Sequence, residues 1–266
     1  MVDSWRARHG RWALVVGASE GLGRAFALEC AARGLDVALV ARRREALEQV
    51  AGEVRALGVE ALLVVADLAE AGACECVMHA LGEREVGLVV MNAALSPKGD
   101  FLERGSANLR AVQINVTSLT MFAEALLPAM RERGRGAFVV LSSLAGLRGT
   151  AGLATYAASK AYGRVFAEAL WAELKDEGVH VLASCPGAVD TPGFRAHSAA
   201  TAMASEEVAG QTLDALSLRS GPVLAGPVVV PGASNRFAER LLQRLPRRAG
   251  IWLMSRASQK TLDKSS

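Results

Sequence analysis

Apolar residues recur along this chain in two alternating rhythms. Short continuous runs rich in valine, leucine and alanine fall at residues 12–17, 36–41, 61–66, 86–91, 136–142, 179–185 and 223–230. Runs without polar alternation suit strands covered on both faces, because neither side of the pleat meets water. Between them, residues 22–33, 43–57, 71–82, 109–133 and 155–177 carry apolar positions at helical spacing. The alternation predicts an α/β fold: a doubly wound, mostly parallel seven-stranded sheet flanked by helices, with right-handed crossovers. No internal repeat, low-complexity stretch or linker divides it. Residues 1–232 therefore read as a single domain, and 233–266 as a basic, partly helical extension packed on that domain or at a subunit interface.

Composition adds exclusions. Hydrophobic residues make up 51% of the 266 positions and charged residues 21%, the balance of an ordinary folded soluble protein. Cys30, Cys74, Cys76 and Cys185 show no paired spacing and no matching histidine cluster, so they read as reduced thiols and no metal is expected. The apolar run from Trp12 leads into glycines and Glu20, not into a small-residue cleavage site, and no stretch approaches the ~18 apolar residues of a membrane span. A cytoplasmic location is the expectation.

Charge is unevenly spread. The net charge is +3, yet from Arg236 onward eight basic residues face only Glu239 and Asp263. Aromatic residues do not interleave with these cations in a nucleic-acid-binding pattern, so no nucleic-acid partner is expected. In the same tail Phe237, Leu241, Leu242 and Leu245 recur at helical spacing, followed by Ile251-Trp252-Leu253-Met254. A membrane-surface helix or a lid would use that pattern. Packing against the domain or a sister subunit is the preferred reading, because such faces are usually core.

Candidate chemistry sits at the ends of the predicted strands. The first runs directly into Gly17-Ala18-Ser19-Glu20-Gly21-Leu22-Gly23 and a helix. Glycines there permit a tight turn and close approach of a pyrophosphate to the backbone, while the helix N-terminus favours negative charge. That position makes Gly17, Ser19, Glu20, Gly21, Leu22 and Gly23 candidate dinucleotide ligands of a Rossmann domain. At the second strand end a carboxylate would select NAD, whereas an arginine can hold a 2′-phosphate. Ala41-Arg42-Arg43-Arg44 stands there, which points to NADP(H) with Arg42 as the clamp and Arg43 as a helper. The alternative is that these arginines solvate the first turn of the next helix, against its dipole. Asp67-Leu68 and Asn92-Ala93-Ala94 follow the third and fourth strands and should line the same crevice, although Asp67 serves equally well as a helix cap before Ala69.

Ser142 and Ser143 end the fifth strand, and Tyr156 and Lys160 lie on the next helix. Four residues apart, a phenol and an ammonium share a helix face. A neighbouring cation stabilises a phenolate and so lowers a pKa that is ordinarily near 10. Taken alone, the pair also reads as an ordinary surface contact.

Taken in order, these motifs resemble the short-chain dehydrogenase/reductase family from about residue 11 to residue 232. Gly17 to Gly23 matches its glycine turn and Asp67-Leu68 its adenine-contacting pair. Asn92-Ala93-Ala94 is a variant of its Asn-Asn-Ala-Gly element, with Met91 for the first asparagine and Ala94 for the glycine. Asn115 holds the position of its helix asparagine. Ser143, thirteen residues before Tyr156, is preferred to Ser142 as its serine. Pro186-Gly187-Ala188-Val189-Asp190-Thr191 resembles its Pro-Gly-x-Val-x-Thr, which adds Pro186, Gly187, Val189 and Thr191 at the nicotinamide end.

The resemblance implies hydride transfer between nicotinamide C4 and a carbonyl or alcohol carbon. Tyr156 would donate the proton in reduction, and Lys160 would lower the phenol's pKa and hold the nicotinamide ribose. Ser143 would bind the substrate oxygen, and Asn115 would hold a water linking Lys160 to solvent. Segments 144–153 and 192–204 are mostly small or apolar, with Arg148, Arg195 and His197 as exceptions. An apolar carbonyl substrate, steroid-, acyl- or polyketide-like, is therefore expected, as is a homodimer or homotetramer. The rival is a dinucleotide-binding sensor or scaffold without turnover. Such a protein would be expected to lose the tyrosine or lysine, and both are present.

Overall fold

The computed structural model describes residues 2–192, 202–217 and 226–262. Its main sheet has seven strands, all parallel where they pair: β1 (Trp12–Val16), β2 (Asp36–Ala41), β3 (Ala61–Val65), β4 (Val86–Met91), β5 (Gly136–Leu141), β6 (Val179–Ser184) and β9 (Val228–Val229). Their spatial order is β3-β2-β1-β4-β5-β6-β9. All seven predicted runs therefore become strands. Only two residues of the seventh are paired, and the start of its predicted run lies outside the described residues. A separate pair, β7 (Val189–Asp190) with β8 (Met203–Ala204), was not foreseen.

Successive residues of β1 supply opposite cores, which explains its unbroken apolar run. Leu14 and Val16 join Phe122, Phe138 and Val140 on one face, under α4 (Ala73–Leu81), α6 (Ser118–Arg133) and α7 (Ala154–Leu174). Ala13 and Val15 join Phe26, Leu39 and Leu47 on the other, under α2 (Gly21–Ala32), α3 (Arg44–Ala56) and α8 (Ser205–Ser217). Each fully buried leucine or phenylalanine contributes on the order of 1.5–3 kcal/mol of transfer free energy. Edge strand β3 departs from the pattern: Val65 is exposed and three of its five residues are only half-buried.

Chain direction across the sheet reverses between β1 and β4, since β2 and β3 extend one way and β4 to β6 the other. Such a switch leaves a crevice at the strands' carboxyl ends, and the loops that follow β1 and β4 meet there. At the opposite end, α1 (Val2–His9) closes the amino-terminal edge. Arg6 and Arg11 bond the buried Asp36 carboxylate at the start of β2 (3.4 and 2.5 Å), and the Glu60 amide donates to it at 2.8 Å. The predicted 109–133 helix forms, beginning three residues earlier and running unbroken through a π turn: α5 (Ser106–Val112) passes into α6 by way of Gln113–Thr117, where the Ser118 amide donates five residues back to Gln113. Two helices form the C-terminal extension, α9 (Ala233–Arg244) and α10 (Arg247–Leu262). Among the described residues no helix is long and apolar enough to cross a membrane, and no cluster of three metal-ligating side chains occurs.

Candidate active site

The glycine turn is built by contact with the loop after β4. Gly17 has φ +90°, and a β-carbon there would lie 2.7 Å from the Ala93 amide nitrogen. A β-carbon on Gly23 would overlap the Gly17 carbonyl and come within 2.7 Å of Asn92 Nδ2. Asn92 Nδ2 donates to that carbonyl (2.8 Å), while the Asn92 and Ala93 amides both donate to the Val16 carbonyl. Asn92 and Ala93 thus brace the turn from behind. Glu20, the N-cap of α2, offers its side chain to no cap amide, and the first turn of α2 carries no acidic residue. Those amides and the positive end of the helix are arranged as an anionic pyrophosphate requires, so the cradle fits a dinucleotide. Leu22 packs partly on the core, which leaves its main chain as the available group. Ser19, Glu20 and Gly21 border a cleft of ≈ 380 Å³ shared with Arg24, Arg43 and Ser205.

Arg42 is exposed and makes no ion pair or hydrogen bond among the described residues. Arg43, expected to help it, is turned back onto the glycine turn and pairs with Glu20 (Nη2–Oε2 2.7 Å). Asp67 is not the helix cap that its place before Ala69 suggested: Ala69 lies in a turn, and α4 starts at Ala73 behind Gly72. Its Oδ1 accepts from the Ala69 amide (3.0 Å) within that turn, while Oδ2 accepts from Arg110 on α5 (2.6 Å). Leu68 is buried, and its carbonyl accepts from Ser118 Oγ at 3.2 Å.

The serine pair divides its work. Ser142 is buried and donates to the Lys160 carbonyl (2.7 Å), so it staples β5 to α7. Ser143 is more open. It accepts from the Ala145 amide (3.2 Å), donates to the Pro186 carbonyl (3.4 Å) and lies beside the Tyr156 phenol. Burial pushes that phenol above its usual value, although the residue keeps some contact with solvent, and the Ser143 hydroxyl draws it partly back down. The phenol is thus protonated at neutral pH.

Lys160 is buried. Its Nζ donates to the Leu141 carbonyl at 2.5 Å and lies 5.6 Å from the Tyr156 ring centroid. Burial pulls the ammonium down to about 8, with the Cys185 thiol opposing the shift. The expected lowering of the phenol by this lysine is not what the geometry displays. The ammonium addresses a carbonyl and the ring face, and Ser143 is the group that lowers the phenol. An ammonium has three donors, and two of these have no partner among the described residues.

Asn115 sits buried in the π turn. Its Oδ1 accepts from the Leu95 amide (2.8 Å), while Nδ2 donates to the Leu95 carbonyl and to Ser159 Oγ (both 2.9 Å). Both amide hydrogens are occupied, so the side chain fixes the loop after β4 against α7 and has no N–H left for a water. Further along, the Pro186 carbonyl also accepts from the Leu144 amide (3.0 Å), Val189 pairs with Met203, and Thr191 touches Gly21 closely enough that a β-carbon on that glycine would lie 3.0 Å from it.

The sequence-derived candidates among the described residues therefore gather along the carboxyl edge, with two redirected. Arg43 faces Glu20, and Arg148 holds the extension instead of lining a pocket: its Nη2 donates to the Leu242 carbonyl at 2.9 Å. Arg195 and His197 lie outside the described residues. Sequence reading missed Arg110, Cys185 and the pair Arg164–Glu239 (2.8 Å), which ties α7 to α9. One signal was available, since Lys160, Arg164 and Glu168 follow at four-residue spacing and must share a face.

Comparisons with known proteins agree with this geometry. The model of the short chain dehydrogenase family matches residues 11–202. The very-long-chain 3-oxoacyl-CoA reductase of Anas platyrhynchos is 37% identical over 189 residues, 68% of this chain and 61% of that protein. Inactive hydroxysteroid dehydrogenase-like protein 1 of Homo sapiens is 33% identical over 189 residues, 69% of this chain and 57% of that protein. The matched region thus spans about three fifths of the length of these curated relatives. A 7beta-hydroxysteroid dehydrogenase structure superposes with TM-score 0.87 at 26% identity, covering 94% of this chain and 98% of the other. That fold is the Rossmann-like α/β sheet described above, and its family binds a nicotinamide dinucleotide. With the glycine cradle and the Ser143, Tyr156 and Lys160 cluster in place, the chain belongs to the short chain dehydrogenase family.

Proposed function

We propose that this protein is an NADP(H)-dependent oxidoreductase that interconverts a carbonyl and an alcohol, with Tyr156 as general acid/base. The observation that carries the reading is the convergence of a protonated phenol, the adjacent Ser143 hydroxyl and a buried ammonium with spare donors at the mouth of the crevice. When bound, the nicotinamide supplies the hydride. Ser143 orients the substrate oxygen and stabilises charge building on it. Tyr156 delivers the proton to that oxygen in reduction and takes it back in oxidation. Lys160, anchored on Leu141, offers its free N–H groups to the nicotinamide ribose. Asn115 serves by position, locking the loop after β4 to α7, and any water beside it is held by main-chain groups.

Arg42, uncompensated at the end of β2, supports NADP over NAD, with Arg43 held aside by Glu20. Asp67 and Arg110 form the adenine end of the site. Kinship to proteins named for 3-oxoacyl-CoA and 7β-hydroxysteroid chemistry supports an apolar carbonyl substrate. Small-molecule turnover in a homodimer or homotetramer completes the reading.

The relative named inactive gives the non-catalytic alternative a specific footing. Initial rates with NADPH and with NADH over a ketone panel, alongside Tyr156→Phe, separate the two. Faster turnover with NADPH, abolished by the substitution, is expected. NADPH binding without turnover in either protein would establish a sensor, and turnover confined to small charged carbonyls would defeat the apolar substrate.

A further inference from the structure

The C-terminal helices use only one side of themselves to pack. On α9, Leu242 is buried, Ala238 lies on the core, Glu239 pairs with Arg164, and Asn235 presses on Gly187, where a β-carbon would overlap its Oδ1. On α10, Gly250 is buried against Arg148, and Ser255 Oγ accepts from the Ala151 amide at 2.9 Å. The other side is a different surface. Phe237 is 70% exposed and Leu241 45%, one helical turn apart. Arg236, Arg240 and Arg244 form the neighbouring exposed stripe at the same four-residue spacing. Beyond the turn at residues 245–246, Trp252 is 60% exposed, with Ile251 and Leu253 also open to solvent. Arg247, Arg248 and Arg256 are exposed around them, and the Arg256 guanidinium lies 5.3 Å over the Trp252 ring.

Large apolar side chains left singly on a surface need no explanation, but five on two successive helices do. The accompanying charge narrows the answer. Among residues 233–259 the one carboxylate is Glu239, and it is engaged inside with Arg164. The outward face therefore presents aromatic and aliphatic groups with cations of one sign. A symmetric contact with a second copy would set these arginines against the same arginines. Nucleic acid would meet the cations but leave the leucine and isoleucine unused. An anionic bilayer satisfies both halves: phenylalanine and tryptophan settle at the headgroup level, aliphatic groups enter the acyl boundary, and guanidinium groups meet lipid phosphates.

We propose that the outward face of α9 and α10 is a docking surface for an anionic lipid bilayer. It holds the enzyme flat on the membrane without crossing it. The same helices grip Arg148 and Ala151 from behind, so the segment between Ser143 and Tyr156 lies directly over the membrane-bound element.

Co-sedimentation of the full chain with vesicles tests this without any turnover, so it stands or falls apart from the oxidoreductase reading. The protein should pellet with phosphatidylcholine vesicles containing about 30% phosphatidylglycerol, and be released by about 0.5 M salt. Pure phosphatidylcholine should retain little of it. Arg240→Glu with Arg244→Glu and Arg248→Glu should lower partitioning at least about tenfold. Phe237→Ser with Trp252→Ser should do likewise, and Trp252→Ser alone should give an intermediate loss. All these side chains face solvent, so thermal unfolding of the variants should match the parent. Failure to pellet with anionic vesicles, or equal partitioning of parent and variants, overturns the proposal. So does a dimer by light scattering that dissociates in Phe237→Ser with Trp252→Ser while no vesicle is bound, because a second copy then occupies the face.

Discussion

The two ends of the central sheet are built from the same strands and are opposites in chemistry. At the amino-terminal end, charge is neutralised: Asp36 receives Arg6, Arg11 and the Glu60 amide, Glu85 receives Arg133 and Arg135, and His9 is buried beside Trp5. At the carboxyl-terminal end, groups are held in place yet left with unused capacity. Arg42 has no partner among the described residues, Lys160 donates once of three, and the amides at the head of α2 lack a side-chain cap. One end spends its charges on the fold and leaves the buried His9 Nδ1 unbonded among the described residues, and the other is arranged for something the fold does not supply.

That contrast predicts mutations that separate stability from activity. Tyr156→Phe should cut turnover by about 10³-fold, about 4 kcal/mol of transition-state stabilisation, with thermal unfolding unchanged. Initial rates and a melting curve on one preparation check both halves. His9 sets the next largest effect. Burial, reinforced by His180 and Arg8, lowers it to about 4, so the folded state keeps it neutral while the unfolded chain binds a proton below 6.5. Stability should therefore fall as pH drops from 6.5 to 4, by about 3 kcal/mol in total. Urea unfolding across that range should show the loss, and His9→Gln should flatten it without altering kcat at pH 7.

Smaller effects sharpen the boundary between the ends. Asp36→Ala strands the Glu60 amide and leaves Arg6 only the Gly34 carbonyl and Arg11 only the Glu60 carboxylate among the described residues, and should cost about 2 kcal/mol with turnover per folded molecule intact. Arg42→Ala should raise KM for NADPH about tenfold, leave KM for NADH unmoved and not shift the melting temperature. An activity loss from Asp36→Ala at full folding would show that the two ends are coupled. Lys160 offers a pH counterpart at the carboxyl end: held at about 8, it should lose its charge as pH rises past that value, and dinucleotide affinity measured by fluorescence should fall with it.

The fold was legible because its strands are covered on both faces, so their apolar runs are unbroken. Edge strand β3 and short β9 follow the rule least well and still registered. In the site, residues fixed by backbone necessity were readable, as at Gly17 and Gly23, where no β-carbon fits. Ser143 was preferred to Ser142 on the family resemblance, and Ser142 is engaged elsewhere, donating to the Lys160 carbonyl. What the sequence concealed were pairings between distant side chains. Nothing in a period of two or 3.6 says that Arg43 turns back to Glu20, that Arg110 finds Asp67, or that Arg148 reaches the carbonyl of Leu242. The extension was legible as amphipathic, but which side of it faced inward was settled only by Glu239 and Leu242.

The π turn that carries Asn115 stores one residue more than a regular helix needs. Because a π turn is wider, Gln113–Thr117 carry the chain through about the rotation of four α-helical residues. Deleting one of them would let the helix close into regular α geometry while α5 and α6 keep their faces, so Leu119, Phe122, Leu126 and Met130 would stay buried. What would go is the placement of Asn115, and with it the bonds to Leu95 and Ser159. A single-residue deletion here should thus leave the fold standing and loosen the loop after β4.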